Sequence, residues 1–133
     1  GLIRHALART LSLLLPRVAM ATKIEPTRLS TLPQTWADWK TDPLIVKALP
    51  ARAGLALLRG IREEARAPAP PGPVLVTVGG ADEIVSPDAA RSMAHRWGAE
   101  FLLLERSRHE VDLDVDGPEL IRRVAAHLTS PLR

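Results

Sequence analysis

Residues 68–73 read Pro-Ala-Pro-Pro-Gly-Pro, and Val-Leu-Val-Thr-Val follows at once. Proline fixes φ and lacks an N–H, so no helix continues through such a block, and an extended linker is expected. The run behind it, Val74 to Val78, is short, rich in β-branched residues and bounded by turn residues. A strand with this pattern is buried on both faces, an environment found in parallel sheets covered by helices. This boundary constrains the fold more than any other feature. It predicts an α/β class and divides the chain into residues 1–67 and 68–133.

The second part continues in the same style. Gly79 to Val85 reads as a loop. Ser86 can cap a helix, Pro87 suits its first turn, Asp88 suits its positive end and Gly98 closes it. Ala90, Met93, Ala94 and Trp97 form the expected buried side. Phe101 to Leu104 is a second short apolar strand. Residues 105–116 form a polar loop, and Gly117-Pro118-Glu119 opens a last helix with Leu120, Ile121, Val124, Ala125 and Leu128 toward the core. Strand–helix–strand order makes the two strands parallel, with a right-handed crossover. Ligands in such sheets bind at the carboxyl ends of strands, where the 79–86 and 105–116 loops lie. Two apolar strands are too few for a self-sufficient sheet, so the pattern reads as the end of a larger one.

The first part is expected to be mostly helical. Ile3, Leu7, Leu11 and Leu14 or Leu15 form an apolar stripe over 2–15, ended by Pro16. Residues 21–42 look irregular, and Asp42-Pro43 opens a turn or short helix to Lys47. Pro50 then leads a helix to about Ala67, with Leu55, Leu58 and Ile61 on one side. Residues 1–67 carry 11 basic and 5 acidic side chains, and residues 68–133 carry 7 and 10. The basic residues are spread rather than clustered, which is the pattern of a solvated face. With 133 residues the chain has the size of one domain. It has no cysteine, which excludes disulfides, thiolate metal sites and a Cys nucleophile. Aromatic residues are only 3%, against the stacking platforms of single-strand nucleic-acid binders. No stretch is long and apolar enough to span a bilayer, and Pro16-Arg17 interrupts the faint signal-peptide pattern. The start at Gly1, without Met, suggests a fragment or processed product.

Asp82 follows the first strand and His109 lies in the loop after the second. Neighbouring parallel strands run about 4.8 Å apart, so side chains from these two loops can meet. A carboxylate on one imidazole nitrogen fixes the tautomer and leaves the other nitrogen as a base. The pattern equally fits a turn aspartate beside a solvated histidine. A nucleophile is missing: the serines at 12, 30, 86, 92, 107 and 130 lack glycine at both −2 and +2. Ser107 suits loop hydrogen bonding. His5, His95 and His127 have no partners at metal-ligand spacing.

Gly79-Gly-Ala-Asp82-Glu-Ile-Val-Ser-Pro87 resembles the acid segment of α/β-hydrolases of the monoacylglycerol lipase/lysophospholipase type, the serine aminopeptidase S33-like group. Arg108-His109-Glu110-Val111 is similar to their catalytic histidine segment, and Asp42-Pro43-Leu44-Ile45 to a stretch of their cap. The resemblance covers nearly the whole chain. It implies a helical cap at 1–67, followed at 68–133 by the C-terminal part of an α/β-hydrolase core. It further implies Asp82 as triad acid, His109 as general base, and Ile84 and Val111 as substrate contacts. The nucleophilic serine and oxyanion hole are expected in an N-terminal half before Gly1, which the fold needs as a partner. Cleavage of a carboxylic ester is implied, of monoacylglycerol or lysophospholipid, with no metal, cofactor or nucleic acid. The expected location is cytoplasmic, with peripheral membrane contact through the cap, whose 2–15 helix offers an apolar face flanked by arginine. Asp114 departs from the group, which has Glu five residues after the histidine.

Two other functions remain in view. One is a nucleophile-free interaction or scaffold domain of the same fold. The other is a nucleotide-binding half, against which stand the missing phosphate-loop motifs and the repulsion of phosphate by Asp82 and Glu83.

Overall fold

The computed structural model describes residues 19–22 and 24–129. In chain order the elements are β1 (Ala19–Ala21), α1 (Pro33–Thr41), β2 (Ala48–Pro50), α2 (Ala51–Glu64), β3 (Leu75–Gly79), α3 (Pro87–Trp97), β4 (Glu100–Leu104) and α4 (Gly117–Thr129). Single 3-10 turns lie at Pro26–Arg28 and Val111–Leu113. The chain forms two compact units. One holds residues 1–24 and 43–67, the other residues 25–42 and 68–133. The boundary therefore differs from a division at residue 67: residues 25–42, expected with the first part, pack with the second.

In the first unit β1 and β2 pair antiparallel, Met20 opposite Leu49. The short pair continues with Thr22 N–H donating to Lys47 C=O at 3.1 Å. Proline suits the step into α2, because the first N–H groups of a helix have no partner within it. α2 ends at Glu64, three residues before the expected stop. It buries Ala51, but Leu57, Leu58 and Ile61 stay exposed, so its apolar stripe is covered only near β2. The expected helix 2–15 lies outside the described residues.

The second unit holds the parallel pair. β3 and β4 run in register from Leu75 opposite Glu100 to Gly79 opposite Leu104. Strand alternation sends Val76 and Val78 under α3, where they pack against buried Ala90 and Ala94. Met93, Trp97, Phe101 and Leu103 close around this core. The ends of α3 follow the sequence signals. Ser86 Oγ accepts the Ala89 N–H at 3.3 Å, and Gly98 turns out of the helix at φ 61°.

The other face of β3 departs from the expectation of burial on both sides. Leu75 and Thr77 are only half-buried and line an open hollow of about 410 Å³ with Pro71, Pro73, Val124 and Leu128. Ile121 and Leu128 of α4, expected to face the core, are exposed, Leu128 by 76%. A two-stranded sheet is too narrow to cover the stripe of a helix packed on it. A second difference is α1, in a stretch that reads as irregular. Pro33 starts the helix, and Trp36 Nε1–H donates to the Ser30 carbonyl at 2.7 Å.

Candidate active site

The site is built where β3 and β4 end. The chain leaving β3 passes so close to the loop after β4 that side chains are excluded. A Cβ on Gly79 would lie 2.1 Å from the Arg108 carbonyl oxygen, and one on Gly80 would lie 2.7 Å from Glu105 Cα. The close approach is held by backbone bonds. Gly80 N–H donates to Leu104 C=O at 2.9 Å and Ala81 N–H to Ser107 C=O at 3.0 Å. The Gly-Gly pair before Asp82 therefore serves packing.

Those contacts bring Asp82 and His109 together. Asp82 Oδ1 accepts the N–H groups of Ile84 at 2.7 Å and Val85 at 2.9 Å, which fixes the carboxylate plane. Its Oδ2 stands 2.9 Å from His109 Nδ1. A carboxylate only accepts, so Nδ1 carries the proton and Nε2 is the basic nitrogen. The Asp82 side chain is 3% exposed and the His109 side chain 35%. Among the described residues the ring makes no hydrogen bond through Nε2, so a buried acid holds a half-open base.

A polar network then fixes the loop that carries His109. Asp114 is buried, and its carboxylate accepts the N–H groups of Arg108 at 2.8 Å, Val115 at 2.8 Å and Thr31 at 3.0 Å, and the Thr31 hydroxyl. Asp116 accepts from Arg106 N–H at 3.0 Å, from the Arg106 guanidinium, and from fully buried Ser107 Oγ–H at 3.1 Å. Burial pushes the Asp114 carboxyl up. The Thr31 hydroxyl and three backbone N–H groups outweigh that effect and hold it below the usual aspartate range. Burial likewise raises Asp116, and the Arg106 and Ser107 bonds bring it below the usual range. Glu110 N–H donates to Leu29 C=O at 2.8 Å, and Ser30 Oγ–H donates to Leu113 C=O at 3.0 Å. Arg28 reaches Glu83, with Nε 3.3 Å from Oε2, and Arg108 reaches the Thr27 carbonyl. Residues 27–31 thus form a third wall beside the two loops, absent from the sequence expectations.

The remaining candidates divide. Ile84 is exposed, and its backbone N–H orients Asp82. Val111 is 7% exposed inside the loop. Its side chain packs the loop. The described serines have other partners: Ser30 bonds Leu113 and Leu32, Ser86 caps α3, Ser92 bonds Asp88 and Ser107 bonds Asp116. None of these bonds involves His109. His127 Nδ1 lies 3.4 Å from Glu100 Oε2. Among the described residues no three His, Asp or Glu side chains group as metal ligands. No described helix is long and apolar enough to cross a membrane.

A parallel sheet packed against helices, with an acid and a histidine paired at the carboxyl ends of adjacent strands, defines the C-terminal part of an α/β-hydrolase. The chain belongs to the serine aminopeptidase S33 family of hydrolases, whose model matches residues 2–116. Among solved structures it is similar to the monoacylglycerol lipase of Paleococcus ferrophilus, with a TM-score of 0.73 and 25% identity. The match covers 95% of this chain and 51% of the lipase, so the chain spans about half that length. No curated protein matches.

Proposed function

We propose that this chain supplies the acid–base half of a serine ester hydrolase acting on monoacylglycerol or lysophospholipid. The observation that carries this function is the 2.9 Å contact between buried Asp82 and part-exposed His109, with Nε2 left as the base. The serine is contributed from outside this chain, together with the oxyanion hole. His109 takes the serine proton as the ester carbonyl is attacked, then delivers it to the leaving alcohol. Asp82 keeps the ring in the Nδ1–H tautomer and stabilises the imidazolium that forms. The oxyanion hole stabilises the tetrahedral intermediate, and water repeats the sequence on the acyl-enzyme. The lipid substrate class is supported by the likeness to a monoacylglycerol lipase, and no cofactor enters the scheme. Residues 1–24 and 43–67 act as the cap and make peripheral contact with the membrane.

The test is co-expression with an N-terminal half that carries a G-x-S-x-G serine, assayed on monoacylglycerol and lysophospholipid. Ester cleavage that falls by about 10⁴ in kcat on Asp82→Asn supports the proposal. Complementation that binds this chain yet gives no cleavage, or cleavage indifferent to His109→Ala, overturns it in favour of a scaffold.

A further inference from the structure

His109 is tied in place through its backbone as well as its ring. Ser107 C=O, two residues before it, accepts from Ala81 N–H at 3.0 Å. Arg108 N–H, one residue before it, donates to Asp114 at 2.8 Å. Glu110 N–H, one residue after it, donates to Leu29 C=O at 2.8 Å. The first tie leads to the Asp82 loop, and the other two lead to residues 29–31. Asp114 is the joint of the second tie, because the same carboxylate takes both the N–H and the hydroxyl of Thr31.

Among the described residues the ring makes one hydrogen bond, to Asp82, and the His109 side chain is 35% exposed. That bond forms only where the backbone of 108–110 places Nδ1 against the buried Asp82 carboxylate. The rotamer of His109 is then set by where the backbone of 108–110 is held. Removing the Asp114 charge leaves the part-buried N–H groups of Arg108 and Thr31 with a poorer acceptor, and the loop moves to satisfy them.

We propose that Thr31 and Asp114 are positioning residues for His109, transmitting the packing of residues 29–31 to the tautomer and orientation of its ring. This deepens the assignment of His109 as general base. Its physical content, the bond from Nδ1–H to Asp82, is measurable without ester hydrolysis.

The experiment uses the 133-residue chain labelled with ¹⁵N histidine, at alkaline pH. Imidazole nitrogen shifts report the tautomer, and amide exchange reports the Arg108 N–H. The native chain is expected to show His109 as the Nδ1–H tautomer, lost in the Asp82→Asn control. Asp114→Asn and Thr31→Val are expected to shift His109 toward the mixed tautomers of free imidazole. The Arg108 amide then exchanges about tenfold faster. His95 and His127 signals stay in place and report that the fold persists. If both variants keep the Nδ1–H tautomer and native Arg108 protection, the proposal is wrong. If Asp114→Asn moves His95 and His127 as well, the milder Thr31→Val, which removes one hydroxyl, decides by the same two signals. A hydrolase assay that fails while these shifts appear would count against the enzymatic function alone.

Discussion

Asp82 and His109 meet because no side chain stands between the two strand ends. Gly79 and Gly80 admit the 105–108 backbone, and the acid and base follow on either side. Gly79→Ala places a methyl group inside a carbonyl oxygen. It is expected to lower stability by about 2–4 kcal/mol, read as a fall in the urea midpoint. Unchanged stability would mean that the loops do not approach this closely. The glycines, the acid and the histidine are all legible in sequence, because each follows a strand that announces itself by composition. Asp114 is legible only as a departure from a family pattern. Its partner Thr31 is 83 residues away, and no local period connects them.

At the scale of elements, α3 is the most legible. Ser86 and Gly98 occupy the cap positions that their chemistry predicts. Ser86→Ala is expected to cost about 1 kcal/mol by losing the bond to Ala89. Gly98→Ala is expected to cost about 1–2 kcal/mol by forcing a Cβ into the left-handed region. Both are read in thermal melts, and a null result for both would place the helix ends elsewhere. α1 was not legible, since two tryptophans and a proline give no apolar stripe, and its place depends on Ser30 and residues of the distant loop. The 105–116 loop carries a pH dependence. Asp114 and Asp116 titrate lower in the folded chain than ordinary aspartate, so the unfolded chain binds more protons in acid. Their stabilisation is complete above the ordinary value of about 3.9 and is lost as pH falls through the folded values. Urea melts at descending pH are expected to lose stability there, and Asp114→Asn should flatten that slope. An equally steep slope in the variant would exclude Asp114 as a source.

For the whole molecule, the apolar surface left open on each unit matters most. Leu128 and Ile121 on one unit and Leu57 and Ile61 on the other are exposed, and among the described residues the sheet of β3 and β4 has two strands. Exposed apolar patches and free strand edges favour association. The isolated chain is expected to self-associate in sedimentation velocity, and Leu128→Gln is expected to raise the monomer share without lowering the melting temperature. A native chain that sediments as a clean monomer would contradict this. Sequence by itself determined the α/β class, the parallel strand pair, the caps of α3 and the placing of Asp82 and His109 at one sheet edge. Those properties follow from composition and period over a few residues, where backbone geometry and burial act locally. Only the tertiary structure decided that residues 25–42 join the second unit, that Thr31 and Leu29 hold the histidine loop, and that Val111 is buried. Hydrogen bonds between distant segments form wherever the packed chain brings donors to acceptors, and they leave no repeat in the sequence that makes them.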